Sequence, residues 1–279
     1  MHILVAGCGW LGTAVAARLL GRGDRVTGVR SDPDRAEGLR ALGIEPLALD
    51  LADPDAAIPD GLDAILALQS AQDGSEAGYR RAYLLANGTL LRAARRQGMK
   101  ALVYSGSTGL FTQRDGSEVD EDSAPTPGSA TSHVLAEAER MLLGAAGEGL
   151  PVRIVRLSGL YGPARTGVIE RVRSGALALG PGDGAWMNFC HRDDAVETIL
   201  AALDRGRDGA VYHATDALPM RRREVVRHVA EKLGIPPPSS DASAAGADRR
   251  VSGARTRAEL GLELWWPSLR EGLEPFLDV

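Results

Sequence analysis

Three glycines in the run Gly7-Cys8-Gly9-Trp10-Leu11-Gly12 constrain this chain more than any other feature. A short apolar run, residues 2–6, precedes them, and a helical apolar pattern, residues 11–20, follows. A tight strand-to-helix turn of this kind uses each glycine differently. The first permits the turn, the second lets backbone approach a ligand, and the third lets the helix pack closely on the strand. The helix start then offers N–H groups and the positive end of its dipole to a pyrophosphate. Gly7, Gly9, Trp10, Leu11 and Gly12 are therefore candidate dinucleotide-binding residues.

The chain keeps alternating strand and helix. Apolar runs at 25–29, 45–49, 63–68, 101–104 and 151–157 are separated by helical patterns at 33–42, 75–97 and 132–146. This rhythm predicts an α/β, Rossmann-type doubly wound parallel sheet with helices on both faces. After Leu157 it loosens. Residues 159–186 are rich in Gly and Pro, helices are expected at 193–203 and 222–233, and a short strand at 211–213. Residues 236–247 have the composition of a mobile loop. The expected division is a dinucleotide-binding domain over residues 1–157. Residues 158–279 then complete the sheet and form a small substrate-covering region.

Composition narrows the partners. The chain has 279 residues and a net charge of −5, which argues against nucleic acid or an anionic membrane surface as partner. Cys8 and Cys190 cannot make a disulfide framework, and no spacing suits a metal site. Residues 1–17 carry no Asp, Glu, Lys or Arg. However, there is no basic segment ahead of them, and glycines interrupt the apolar run, so a signal peptide is not expected. The sequence reads as a soluble cytoplasmic protein with a small-molecule substrate.

The end of the second strand bears on cofactor choice. An NAD-binding turn tends to place an acidic residue about 20 residues beyond the glycines, on the ribose hydroxyls. Here the strand ends Val29-Arg30-Ser31. A guanidinium pairs with the 2′-phosphate of NADP, which a carboxylate would repel. Arg30 thus favours NADP. Asp32 keeps NAD open, and Arg30 also fits an ordinary surface arginine.

Several segments together resemble the extended short-chain dehydrogenase/reductase superfamily, in its NAD-dependent epimerase/dehydratase group. Residues 101–111 (ALVYSGSTGLF) are similar to that family's fifth strand and Ser-Ser-x-x-Val-Tyr-Gly turn. Glu121 to Pro127 resembles the acidic, proline-containing loop that follows. Arg156 to Pro163 resembles Arg-x-x-x-x-Tyr-Gly-Pro, and Asn188 to Asp194 resembles Asn-x-x-His-x-x-Asp. Asp50 matches the aspartate after the third strand, a further cofactor contact in the resembling enzymes.

The departure from the family is chemical. Its catalytic pair is Tyr-x-x-x-Lys, and the two lysines here, Lys100 and Lys232, follow Arg96 and His228 at that spacing. One alignment of the helix near residue 135 puts Ser129 and His133 at the pair's positions, another Thr131 and Leu135. Of the resembling machinery, Ser107 remains as the substrate-orienting hydroxyl, though it also suits a turn that bonds backbone. His133, His191 and Tyr161 are the remaining acid/base candidates, His191 also fitting a hydrogen bond that ties the sheet to the small domain. A histidine can move a proton near neutrality without a lysine. Two classes stay open: an NAD(P)-dependent oxidoreductase or epimerase/dehydratase-like enzyme, and a cofactor-binding sensor or scaffold without turnover. The helices at 75–97 and 132–146 carry Leu84, Leu91, Leu135 and Leu142. In resembling proteins such helices pair across a two-fold axis, which implies a homodimer.

Overall fold

The computed structural model describes residues 1–241 and 246–277; part of the segment read above as a mobile loop, residues 242–245, lies outside them. In chain order the elements begin β1 (His2–Ala6), α1 (Trp10–Gly21), β2 (Arg25–Arg30), α2 (Pro33–Glu37), β3 (Glu45–Ala48) and β4 (Ala64–Ala67). Next come α3 (Glu76–Tyr79), α4 (Ala86–Gln97), β5 (Ala101–Ser107), β6 (Arg114–Val119), α5 (Ala130–Gly147) and β7 (Val152–Leu157). Then follow β8 (Gly159–Tyr161), α6 (Gly167–Arg173), β9 (Trp186–Met187), β10 (Phe189–His191), α7 (Arg192–Arg205) and β11 (Val211–Ala214). The last are β12 (Met220–Arg221), α8 (Arg222–Lys232), β13 (Asp248–Val251), α9 (Ala254–Leu260) and α10 (Leu269–Leu273).

A seven-stranded parallel sheet runs β11-β7-β5-β4-β1-β2-β3, as the alternation predicts. The middle strand β4 and its neighbour β1 are apolar on both faces. Ile3, Leu4, Val5 and Ala6 of β1 and all of β4 are 0% exposed, the pattern of a parallel sheet covered on both sides. Burying side chains such as Leu4, Ile65 and Leu102 contributes about 1.5–3 kcal/mol each. The chain leaves β1 toward β2 and β3, then crosses back to β4 on the other side of β1. Strand order reverses there, and in open α/β sheets ligands bind at the carboxyl ends beside such a reversal.

Two helices differ from expectation. The helix expected over 33–42 is five α-helical residues followed by a 3₁₀ stretch, Gly38–Leu42. The long helix expected over 75–97 is interrupted by a π-helical segment, Arg80–Leu85, between α3 and α4. Ser75 caps its start by accepting from Gly78 N, and Gly98 ends it at φ +62°.

The chain divides into two compact units that interleave. One comprises Met1–Leu110, Pro127–Arg156 and Thr198–Tyr212; the other comprises Phe111–Thr126, Leu157–Glu197 and His213–Val279. These units differ from a single cut after residue 157 in two places. Residues 114–119 form β6, which pairs with β13 and leaves the central sheet. The end of α7 belongs with the first unit, where Arg153 Nη1 of β7 donates to the Ala202 and Leu203 carbonyls at 2.8 and 2.6 Å. The second unit has its own core, including Tyr161, Val172, Leu177, Val225, Val229 and Leu273.

Candidate active site

The glycine turn has the geometry its sequence implies. Gly7 sits at φ +79°, and a Cβ there would lie 2.4 Å from the backbone of Gln69. A Cβ on Gly12 would lie 2.6 Å from the Gly7 carbonyl oxygen. Gly9 differs: its Cβ would meet nothing closer than 3.9 Å. Its side-chain space is open, as close approach of a pyrophosphate requires. Trp10 and Leu11 begin α1, whose first turn carries no acidic residue to oppose an anion.

At the end of β2, Arg30 Nε donates to the Cys8 carbonyl at 2.7 Å, which fixes the guanidinium against the turn. Its Nη atoms make no hydrogen bond or ion pair among the described residues. Asp32 is engaged elsewhere, since its Oδ1 accepts from Arg35 N at 2.9 Å as the cap of α2. Asp50 is also occupied: Ala52 N donates to Oδ1 at 2.9 Å and Arg81 Nη2 to Oδ2 at 2.6 Å. Burial pushes the Cys8 thiol up to about 11.

At the end of β4 stand two carboxamides that sequence reasoning passed over. Gln69 Nε2 donates to Asn87 Oδ1 at 2.8 Å and to the Ala82 carbonyl at 3.2 Å. Asn87 Nδ2 donates to the Tyr83 carbonyl at 2.8 Å. Both carbonyls belong to the π-helical segment. Asn87 is 0% exposed, and the signal for it was an amide embedded in the apolar helical run Leu84-Leu85-Ala86-Asn87.

At the end of β5, Ser105 Oγ donates to the Ala67 carbonyl at 3.2 Å and is buried. Ser107 Oγ accepts from Gly109 N at 3.0 Å, the turn bond expected of it. That bond uses an acceptor position only, so its O–H remains able to donate. Thr108 is 3% exposed. His133 is exposed on the first turns of α5, and no hydrogen bond joins it to Ser107 among the described residues. Its hydroxyl neighbours do not assist it. Ser129 and Ser132 form a reciprocal cap at the start of α5. Glu139 of the same helix is bound by Arg156 of β7, Nη2 to Oε2 at 2.8 Å, with both side chains 4% exposed.

Tyr161 lies within the second unit. It is 2% exposed, its hydroxyl donates to the Ser268 carbonyl at 3.3 Å, and Phe189 and His191 pack edge-on against it. Burial raises its phenol far above the ordinary value. Buried and hydrogen-bonded in this way, the phenol is poorly placed for the acid/base role expected of it. His191 accepts from Asp193 N at 3.2 Å, and burial lowers its pKa. Asp194 accepts from Trp265 N and Trp266 N at 2.8 and 3.1 Å, which anchors the segment before α10.

Asp216 is the second unit's most perturbed carboxyl. It is 3% exposed, and burial pushes it up to about 8 against the opposing pull of the Leu269 and Phe189 backbone. A carboxyl raised on folding stabilises below its unfolded value of about 3.9, and that stability is lost as pH rises through its folded value. The parent is expected to lose thermal stability from pH 5 to 9. Asp216→Asn should flatten that decline and exceed the parent at pH 9 by about 5 °C. Parallel slopes for the two proteins in calorimetric melts would overturn this.

Among the described residues no group of three or more His, Cys, Asp or Glu converges to hold a metal, and no helix is long and apolar enough to cross a membrane. The open backbone at Gly9, the anchored guanidinium of Arg30 and the orphaned Oε1 of Gln69 fit a nicotinamide dinucleotide. Comparison with known proteins agrees. The NAD dependent epimerase/dehydratase family model matches residues 3–215. The chain is 32% identical over 308 aligned positions to the 3-diazoavenalumate denitrifying reductase of a Streptomyces species, covering 98% of this chain and 99% of that one. It is 27% identical to a 4-hydroxy-2-methyl-3-oxo-4-farnesyl-3,4-dihydroquinoline-1-oxide ketoreductase of Stigmatella aurantiaca, over 99% of this chain and 84% of that one. A solved structure from Silicibacter pomeroyi, described as a functionally unknown conserved protein, superposes with TM-score 0.80 at 27% identity, over 99% and 98% of the two chains. The chain thus belongs to the NAD-dependent epimerase/dehydratase family and is an NAD(P)-dependent enzyme of the oxidoreductase and epimerase/dehydratase kind.

Proposed function

We propose that this enzyme is a cytoplasmic NADPH-dependent reductase acting on the carbonyl group of a small substrate. The observation that carries the cofactor choice is Arg30, held by the Cys8 carbonyl beside the glycine turn with its Nη atoms turned to no protein partner. The carboxylate that would favour NAD, Asp32, is capping α2 instead. The reductase names of the two relatives support reduction as the direction. When bound, the reduced nicotinamide supplies a hydride.

The chain's own residues then have limited work. Ser107 donates its O–H to the substrate oxygen while Gly109 N fixes its position. With neither a lysine-assisted tyrosine nor a joined histidine, solvent water supplies the proton. A route from Ser107 to His133 is less favoured, because His133 is exposed and makes no hydrogen bond to Ser107 among the described residues. Two buried free thiols, Cys8 and Cys190, suit a reducing compartment.

Truncating Arg30 to alanine should weaken NADPH by about 1.5–3 kcal/mol and NADH little, since only NADPH has the 2′-phosphate. Titration calorimetry is the test, and equal affinity of the parent for both cofactors would overturn the NADPH assignment. A homodimer is also proposed, on narrower grounds than the leucines suggested. Leu91, Leu135 and Leu142 are buried within their own unit, and Leu85, 51% exposed, is what the helical stretch presents. A monomer mass by light scattering would dispose of it.

A further inference from the structure

We propose that Gln69 is a positioning residue whose side-chain oxygen accepts a hydrogen bond from a ribose hydroxyl in the nicotinamide half of the bound dinucleotide. This rests on the dinucleotide reading above and goes beyond it.

Donor–acceptor logic fixes the carboxamide's orientation. Nε2 faces two acceptors, Asn87 Oδ1 and the Ala82 carbonyl, so a flipped amide would oppose oxygen to oxygen twice. Oε1 is thereby held on the other side, and there it is buried with no partner among the described residues. A buried carbonyl oxygen without a donor costs about 1–3 kcal/mol, and natural proteins rarely tolerate it outside a ligand site.

The backbone of the same residue touches the glycine turn, because a Cβ on Gly7 would lie 2.4 Å from Gln69 Cα and N. The residue therefore stands beside the phosphate-binding turn, at the end of β4, where strand order reverses. Arg30 marks the adenosine side at β2. A dinucleotide crossing the crevice places its second nucleotide on the β4 and β5 side, which Gln69 shares with Ser107. The donors of that half are the ribose hydroxyls and the nicotinamide carboxamide. Gln69 adjoins the phosphate-binding turn, which selects the ribose, bonded directly to the pyrophosphate, over the more distant amide. The phosphates have no proton to offer at neutral pH.

The amide's other contacts extend its reach. The Gln69 and Asn87 amides bond the Ala82 and Tyr83 carbonyls of the π-helical segment. That segment carries Tyr83, which packs against Tyr104 of β5 with ring centroids 6.4 Å apart. Engaging Oε1 should thus steady this segment as well as the cofactor.

The test compares the parent with Gln69→Met, which keeps the length of the side chain and removes the acceptor. NADPH, NADH and ADP are the probes, because ADP holds the adenine half alone. The expected result is a roughly tenfold loss of affinity for whichever dinucleotide the parent binds, with ADP affinity unchanged. Hydrogen exchange supplies a second readout. Dinucleotide should protect the amides of residues 80–85 in the parent and protect them less in the variant. Unchanged dinucleotide affinity in Gln69→Met would overturn the proposal, as would an equal loss for ADP, which marks general damage to the turn. Failure of the parent to bind either dinucleotide would instead sink the cofactor reading, and this proposal with it.

Discussion

Replacing Ser107 with alanine is expected to lower kcat about 10²–10³-fold while NADPH affinity stays within about twofold. The magnitude is that of removing one preorganised donor from a developing oxyanion. Ser107 is suited to this because its Oγ accepts the Gly109 N–H at 3.0 Å, which holds the oxygen in place and leaves the O–H to donate. It also ends β5, on the rim where open α/β sheets bind ligands. Losing the turn bond itself should cost only about 1 kcal/mol of stability. The measurement is NADPH consumption with any carbonyl compound the parent reduces, alongside thermal melts. His133→Ala is expected to keep kcat within about threefold, since no hydrogen bond ties that side chain to Ser107. A hundredfold loss in His133→Ala would restore the histidine relay, and an active Ser107→Ala would remove the orienting hydroxyl from the mechanism.

Arg156→Met should destabilise the protein by about 3–5 kcal/mol, the scale for leaving one partner of a buried ion pair unpaired. Arg156 reaches Glu139 through both Nε, at 3.1 Å, and Nη2, at 2.8 Å. Burial already holds the Glu139 carboxyl above its usual range against the pull of Arg156. Without that arginine the carboxylate would be left in an apolar gap between α5 and β7. The double variant Arg156→Met with Glu139→Leu is expected to recover most of the loss, because it removes both charges together. Urea denaturation of the two variants is the check. A single variant as stable as the parent would show that the pair holds nothing together. The position also explains the arginine in the Arg-x-x-x-x-Tyr-Gly-Pro segment: it fastens α5 behind β5, where a Cβ on Gly106 would lie 3.0 Å from Glu139 Oε1.

The central sheet was legible because a parallel strand covered on both faces must be apolar throughout. Residues 2–6 and 63–68 could hardly be read otherwise. The glycine turn was legible for a similar reason. Gly7 must tolerate φ +79° and the backbone of Gln69 at once, which glycine alone does. Arg30 was found by counting from that turn. The helical departures were not legible. Nothing in the run Arg80 to Leu85 distinguishes a π-helical segment from an α-helix, since these residue types suit either and an i→i+5 bond leaves no mark in the composition. Two of the segment's carbonyls accept from the amides of Gln69 and Asn87, and Gln69 reaches them from the loop after β4.

The acid/base candidates separate on the same principle. Sequence supplied Ser107, His133 and Tyr161 as residue types capable of moving or holding a proton. Which of them can do so depends on burial and on partners distant along the chain. Tyr161 is closed off by Ser268, 107 residues away, and Ser129 and Ser132 cap α5 instead of serving His133. Local rules of turn and periodicity therefore determined the sheet and the phosphate turn. Tertiary structure decided the helical break, the fate of Tyr161 and the orphaned oxygen of Gln69. Each of those depends on which long-range neighbour claims a given donor or acceptor, and the linear order of residues carries no distance between them.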